Sequence, residues 1–161
     1  IKIIEEYGEN LPFESDHFDV VYMRQALHHA SNLKKFCSEA CRVLKKSGVF
    51  MASREHIIRN SKELDIFLNT HPLHKYYGGE NAFTLNEYLE ALGMCGLTIK
   101  NALRFYDSDI NIYPQSRNSL RLKLMRRSGF NPPDFIFKAI LKFLNYYYYQ
   151  PGQLCTFVGV K

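Results

Sequence analysis

Hydrophobic and polar positions along the chain follow the periods of alternating strands and helices. Residues 18–23 form an apolar run interrupted by Asp19, which predicts a strand buried on both faces of a parallel sheet. Apolar residues then recur at helical spacing at Leu33, Phe36, Cys37, Ala40, Cys41 and Leu44. Gly48 is predicted to end this helix, and residues 49–53 form the next strand. The pattern predicts a right-handed βαβ unit with two parallel, neighbouring strands.

The rest of the chain continues the same alternation. Thr84 and Glu87 have the spacing of a capping box, which predicts the start of a helix at Thr84. Asn131 is predicted to cap the helix that follows it. The other predicted elements are strands at 1–7, 97–104 and 154–160, helices at 61–69, 117–127 and 133–148, and a glycine-containing loop at 71–81.

Length and composition indicate one compact domain, since the chain has 161 residues and is 46% hydrophobic and 23% charged. The longest nearly apolar run, at 135–144, contains Lys138 and Lys142 and is shorter than the roughly 20 residues that cross a bilayer. The four cysteines form no CxxC pair. This favours buried thiols in a reducing compartment over disulfides, and hence a cytoplasmic protein.

The net charge of +5 is concentrated late in the chain, at Arg117, Arg121, Lys123, Arg126 and Arg127. Two interpretations remain open for this basic stretch. A solvated helix face is favoured, because no known nucleic-acid motif accompanies the charge. Contact with phosphates or with an anionic membrane surface is the alternative, which leaves peripheral membrane contact open and makes nucleic acid an unlikely partner.

Three motifs occur in a fixed order: LPFESDHFDVV at 11–21, LHH at 27–29 and RVLKKSG at 42–48. Together they resemble the middle of a class I S-adenosylmethionine-dependent methyltransferase, of the kind called type 11. The resemblance implies an α/β, Rossmann-like sheet of strand order 3-2-1-4-5-7-6 with an antiparallel last strand. Residues 1–7 would be its third strand. The family's glycine-rich motif would lie before them, so we expect the domain to be truncated at its amino end.

The resemblance implies an enzyme that uses S-adenosyl-L-methionine to methylate a small-molecule or lipid-like acceptor. Residues 107–150 would be a helical insert that covers the substrate. The alternative is a non-catalytic binding module derived from the methyltransferase fold. In either case the strand at 18–23 would lie at a sheet edge, so we expect either self-association through this strand or a displaced position for residues 1–10.

Cofactor contacts are expected at the carboxyl ends of the third and fourth strands of the family's sheet. By resemblance, the loop after the third strand contacts adenine, and the segment after the fourth lies along the methionine part. The matching positions in this chain are Tyr7, Gly8, Glu9, Arg24, Gln25 and Ala26.

Polar residues after the predicted strands are the candidates for the acceptor side of the site. His28, Glu55 and His56 are the candidate catalytic groups, because a base is needed when the acceptor must lose a proton. The candidate substrate and lid residues are Arg54, His71, His74, Tyr77, Glu80 and Asn81. No HExxH motif or regularly spaced ligand set occurs, so no metal site is predicted.

Overall fold

The structure, a computed structural model, describes residues 2–161 and is built around one mixed sheet. Its strands are β1 (Phe18–Arg24), β2 (Leu44–Ile58), β3 (Phe83–Thr84), β4 (Thr98–Leu103) and β5 (Gln153–Val160). The strand order is β1-β2-β5-β4, and the short β3 pairs with the far end of β2. β1 and β2 are parallel, whereas β5 is antiparallel to both β2 and β4.

The predicted parallel pairing of the two strands of the βαβ unit is confirmed. Val20 pairs with Val49 and Val21 with Phe50 in parallel strands. The order β1-β2-β5-β4 is the 4-5-7-6 half of the sheet that the resemblance implied, with the last strand antiparallel. The fold is therefore an open, Rossmann-like α/β sheet.

Seven helices accompany the sheet in the described part of the chain: α1 (Leu33–Val43), α2 (Ser61–Thr70), α3 (Pro72–Tyr77), α4 (Leu85–Met94), α5 (Asp109–Ile112), α6 (Arg117–Ser128) and α7 (Asp134–Tyr147). α1 and α4 pack against each other over the sheet, with Leu27, Phe50, Tyr88 and Phe157 fully buried in the core between them. The predicted capping box is confirmed, because Thr84 and Glu87 exchange side-chain and backbone hydrogen bonds.

Several predicted boundaries are wrong. Residues 2–7 form no strand, and they pair with no other segment of residues 2–161. α1 ends at Val43 rather than near Gly48, because Leu44 already has extended backbone angles and pairs with Phe18. The predicted loop at 71–81 contains α3, which Pro72 begins. α7 starts at Asp134 after Pro133, so Asn131 is not its cap.

The cysteine prediction also needs correction. Cys41 of α1 and Cys95, at the end of α4, are joined as a disulfide with their Cα atoms 6.1 Å apart. The pairing follows from the packing of α1 on α4, which sequence spacing alone does not reveal. Cys37 and Cys155 are buried free thiols, as expected. Among residues 2–161, no helix is both long and apolar enough to span a membrane.

Candidate functional site

A buried histidine–carboxylate pair lies at the carboxyl end of β1, next to the part of β2 that follows Ser53. His28 follows β1 in a short 3₁₀ turn and is 1% exposed, and Glu55 is fully buried. The His28 Nδ1–H donates to Glu55 Oε2 over 2.7 Å, and the His28 backbone N–H donates to the same oxygen over 3.0 Å. The Ala26 N–H donates to Oε1 at 3.3 Å. Glu55 therefore fixes both the ring and the backbone of the turn that carries His28.

Two residues with left-handed backbone angles shape this corner. Gln25 has φ of 49° and Arg54 has φ of 61°. Such angles are uncommon for residues other than glycine. Arg54 lies within a bulge of β2 opposite β5, between Ala52 and Glu55, and β2 continues beyond it to Ile58. Arg54, Glu55 and His56 therefore lie within β2, not after it as the sequence predicted.

His56 is the second histidine of this corner. Its Nδ1–H donates to the Gly152 carbonyl over 2.6 Å, and its ring lies edge-on to the His28 ring with 4.7 Å between centroids. Burial is the main reason that the pKa of His56 falls from 6.5 to about 4; the Gly152 hydrogen bond and Glu80 oppose this shift, and the nearby His28 and His71 rings add to it. His56 is therefore a neutral imidazole near pH 7.

Glu80 brings a second carboxylate to the same corner from the loop after α3. Its side chain is 9% exposed, and its Oε2 lies 3.5 Å from His28 Nε2 and 3.9 Å from His29 Nε2. Its Oε1 lies 3.8 Å from Nδ1 of His71, the residue between α2 and α3. The His29 Nδ1–H donates to the Gly79 carbonyl at 2.9 Å, which holds the loop against the turn after β1.

Five of the sequence-predicted residues thus lie together: His28, Glu55, His56, His71 and Glu80. The Arg54 side chain does not join this cluster; its Nη1 instead donates to the Ile110 carbonyl of α5 at 2.7 Å. Tyr77 is 84% exposed, and Asn81 accepts a hydrogen bond from the Ala82 N–H. Within residues 2–161, no hydrogen bond or ion pair joins His74 to the cluster.

The predicted cofactor positions occupy the neighbouring part of the edge. Glu9 Oε1 accepts hydrogen bonds from the backbone N–H groups of Ser31 and Asn32 at 2.8 and 3.2 Å, so this carboxylate holds the start of α1. Tyr7 is 82% exposed. Gly8 lies so close to the Phe36 ring that a β-carbon would collide with it. Arg24 and Gln25 are exposed at the end of β1, and Ala26 is partly buried.

The structure also brings together three of the candidate residues as possible metal ligands. One donor atom each from His28, His56 and Glu80 lies within 4.8 Å of the other two, which is a spacing that suits a metal ion. No local motif revealed this set, because the residues come from the turn after β1, from β2 and from the loop after α3. The sequence predicted no metal site because it has no regularly spaced ligand set, but ligands from distant parts of a chain need no such spacing.

Comparison with known proteins shows sequence similarity over part of the chain and similarity of fold over nearly all of it. Residues 1–52 match a family described as "Methyltransferase domain". An uncharacterized methyltransferase of Bacillus subtilis, YcgJ, is 41% identical over 62 residues, which is 38% of this chain and 24% of that protein. The chain spans less than half the length of the curated relatives it matches.

Solved structures agree over nearly the whole chain. The YcgJ structure from Bacillus subtilis superposes with a TM-score of 0.55 at 21% identity, over 97% of this chain and 69% of YcgJ. Geranyl diphosphate C-methyltransferase from Streptomyces coelicolor, solved with Mg²⁺, geranyl diphosphate and S-adenosyl-L-homocysteine, gives 0.57 at 15% identity, over 95% of this chain and 50% of that one.

The sheet order defines an α/β protein of the Rossmann-like class, whose ligands bind at the carboxyl ends of the parallel strands. Residues 1–52 are therefore similar in sequence to a methyltransferase domain, and nearly the whole chain shares the fold of the two solved structures named above.

Proposed function

We propose that the chain is part of an enzyme that transfers a methyl group from S-adenosyl-L-methionine to a small-molecule or lipid-like acceptor. The observation that carries the proposal is the corner formed by the end of β1 and the bulge of β2, where exposed Arg24 and Gln25 lie beside the buried His28–Glu55 pair. This edge is where open α/β sheets bind ligands. The methyltransferase match covers β1 and the helix that follows it.

The residues at the end of β1 suit the amino-acid part of such a cofactor. The left-handed angle at Gln25 turns the chain out of β1 and leaves the side chains of Arg24 and Gln25 exposed. A guanidinium and an amide can bind the carboxylate and ammonium groups of a methionine moiety. On the adenine side, the Glu9 carboxylate already accepts hydrogen bonds from Ser31 and Asn32. The exposed ring of Tyr7 and the backbone of Gly8 therefore remain to contact adenine.

The cofactor supplies an electrophilic methyl group, so the main task of the protein is to align the acceptor with it. In the proposed reaction the acceptor's lone pair forms the new bond to the methyl carbon as the sulfur–carbon bond breaks. An oxygen or nitrogen acceptor also loses a proton. His28, Glu55 and His56 form the polar cluster toward which that proton leaves.

Residues 107–150 are proposed to cover the acceptor, with α5, α6 and α7 as the covering helices. The hydrogen bond from Arg54 to Ile110 supports this role, because it joins α5 to β2 at the bulge beside the cluster. A structural neighbour that binds geranyl diphosphate supports the small-molecule or lipid-like class of acceptor.

Calorimetric titration with S-adenosyl-L-homocysteine tests the proposal, in this chain and in any longer form that its gene encodes. We expect saturable binding in the longest form, weakened on the order of tenfold by Arg24→Gln, because a charge-assisted hydrogen bond is lost. Arg127→Gln is the matched control, since Arg127 is an exposed arginine on α6. The absence of saturable binding in every folded form would reject the proposal.

A non-catalytic binding module is the second candidate, and the position of Glu9 favours it. The Glu9 carboxylate is occupied by two backbone N–H groups, whereas a cofactor-binding carboxylate would have to be available to its ligand. This candidate predicts a folded protein that does not bind S-adenosyl-L-homocysteine. The same titration therefore separates the two candidates.

A further inference from the structure

Three side chains from distant parts of the sequence converge beside the His28–Glu55 pair. His28 comes from the turn after β1, His56 from β2 and Glu80 from the loop after α3. One donor atom from each lies within 4.8 Å of the other two. His28 is 1% exposed and the Glu80 side chain 9% exposed, so water does not solvate these groups freely.

The hydrogen bonds made by the two histidines select the same ring nitrogen in each. The Nδ1–H of His28 donates to the Glu55 carboxylate, and the Nδ1–H of His56 donates to the Gly152 carbonyl. A neutral imidazole whose Nδ1 carries the proton has its lone pair on Nε2. Metal-binding histidines typically use the second nitrogen in this way, to donate to a carboxylate or a backbone carbonyl.

This arrangement points the lone pair of His28 Nε2, a hydrogen-bond acceptor, toward the Glu80 carboxylate, which is also a hydrogen-bond acceptor. His28 Nε2 lies 3.5 Å from Glu80 Oε2, and a lone pair facing a carboxylate is repulsive unless a proton or a cation lies between them. We propose that Nε2 of His28, Nε2 of His56 and the carboxylate of Glu80 bind a divalent transition metal, with Zn²⁺ as the ion that fits best. Protonation of both nitrogens of His28 is the competing explanation.

The donor set selects the class of metal. Two imidazole nitrogens and one carboxylate suit Zn²⁺ and related ions, whereas Mg²⁺ prefers oxygen ligands. Ligand atoms about 2.0 to 2.1 Å from a tetrahedral ion are about 3.3 Å apart. The spacing of 3.5 to 4.8 Å therefore requires a small closure of the site. Gly78 and Gly79, both with positive φ, precede Glu80 and give its loop the freedom to close.

Three protein ligands leave a fourth position for water or for another group. His71 is the nearest candidate, because its Nδ1 is buried, lies 3.8 Å from Glu80 Oε1 and has no hydrogen-bond partner among residues 2–161. Metal binding at this site does not depend on methyl transfer. If both occur, His28 acts as a ligand, and the metal lowers the pKa of an oxygen bound at the fourth position.

Metal content and coordination test the inference without an activity assay. We expect the purified protein, stripped with chelator and reloaded with Zn²⁺, to retain about one ion per chain. The X-ray absorption spectrum at the zinc edge should show nitrogen and oxygen neighbours without sulfur. Sulfur neighbours would contradict the site, because they would assign the ion to Cys37 or Cys155 instead.

Variants then locate the ion. Glu55→Gln should weaken zinc affinity by about 10- to 100-fold, because it loosens the orientation of His28. Glu80→Gln, which removes a direct ligand, should weaken it at least as much. His17→Gln is the control for loss of a histidine, since His17 is exposed and packs against Phe13 and Phe18. Circular dichroism confirms that each variant is folded.

The inference is overturned if the folded wild-type protein retains no zinc, which is the result that doubly protonated His28 predicts. It is equally overturned if His17→Gln weakens zinc binding as much as Glu80→Gln does. A folded protein that binds S-adenosyl-L-homocysteine but retains no zinc would reject the metal site and leave the proposed function standing. A protein that retains zinc but binds no S-adenosyl-L-homocysteine in any folded form would reject the proposed function and leave the metal site standing.

Discussion

The imidazole of His28 and the carboxylate of Glu55 are joined by a 2.7 Å hydrogen bond between groups that are 27 residues apart in sequence. Glu55 also accepts the backbone N–H groups of His28 and Ala26. A single buried carboxylate thus holds the turn after β1 against β2, and it fixes the ring nitrogen that His28 offers to the rest of the site.

This relationship predicts that Glu55 contributes strongly to stability. Glu55→Ala should lower the free energy of unfolding by about 2 to 5 kcal/mol, because buried donors lose their acceptor. Glu55→Gln should cost less, since its amide oxygen can still accept. Urea denaturation with chelator present measures this without a contribution from metal. Glu90→Ala, at an exposed pair with Lys34, should change stability by less than about 1 kcal/mol. Equal losses in Glu55→Ala and Glu90→Ala would contradict the account.

Tyr88 connects the core to the histidine corner. Its ring is fully buried, and its hydroxyl donates to the His56 carbonyl over 3.1 Å. Tyr88→Phe should lower the free energy of unfolding by about 0.5 to 1.5 kcal/mol, the usual worth of such a bond. Tyr76→Phe is the control, because Tyr76 is 81% exposed. The urea midpoints of both variants check this, and an unchanged Tyr88→Phe midpoint would show that the bond adds no stability.

The Glu39–Arg42 pair predicts part of the acid sensitivity. Two hydrogen bonds of 2.8 Å from Arg42 hold the pKa of Glu39 below its ordinary 4.5. A carboxyl whose pKa is lower in the folded state stabilises above its ordinary pKa, and this contribution is lost as the pH falls through the folded-state pKa. Glu39→Gln should therefore flatten the fall in urea midpoint between about pH 5 and pH 3. Glu14→Gln, at an exposed position, should leave the fall unchanged. A fall of unchanged steepness in Glu39→Gln would contradict the assignment.

The edge strand β1 predicts that this chain self-associates. Within residues 2–161 β1 pairs with β2 alone, and Val20 and Tyr22 are 57% and 58% exposed. Such an edge can pair with a second copy. Val20→Lys should shift the chain toward monomer in sedimentation experiments, because a charge opposes edge pairing. Ile66→Lys, at a 52% exposed position on α2, should not. A wild-type chain that is monomeric at all concentrations would reject this prediction.

The sheet was predictable because its strands and helices leave periodic signals. The apolar run at 18–23 and the helical stripe after Leu33 fix β1 and α1, and the strand order followed from the family resemblance. Residues 1–7 looked like a strand because they are apolar in part, but a strand needs a partner, and residues 2–7 have none within the described chain.

The candidate site was predictable in its members and not in its arrangement. His28, Glu55 and His56 stand out as polar residues near strand ends, but their contacts depend on the bulge at Arg54 and on the fold of the loop that carries Glu80. Neither feature has a periodic signal in the sequence. The disulfide between Cys41 and Cys95 was missed for the same reason, since it depends on how α1 packs against α4.

The structure of the complex with S-adenosyl-L-homocysteine tests the central claim most directly. The account predicts that the ligand binds at the carboxyl end of β1, with its methionine part against Arg24–Ala26 and its adenine next to Tyr7 and Gly8. Its sulfur should face the corner formed by His28 and His56. A ligand bound at another face of the sheet, or a folded full-length protein that binds none at saturating concentration, would contradict it.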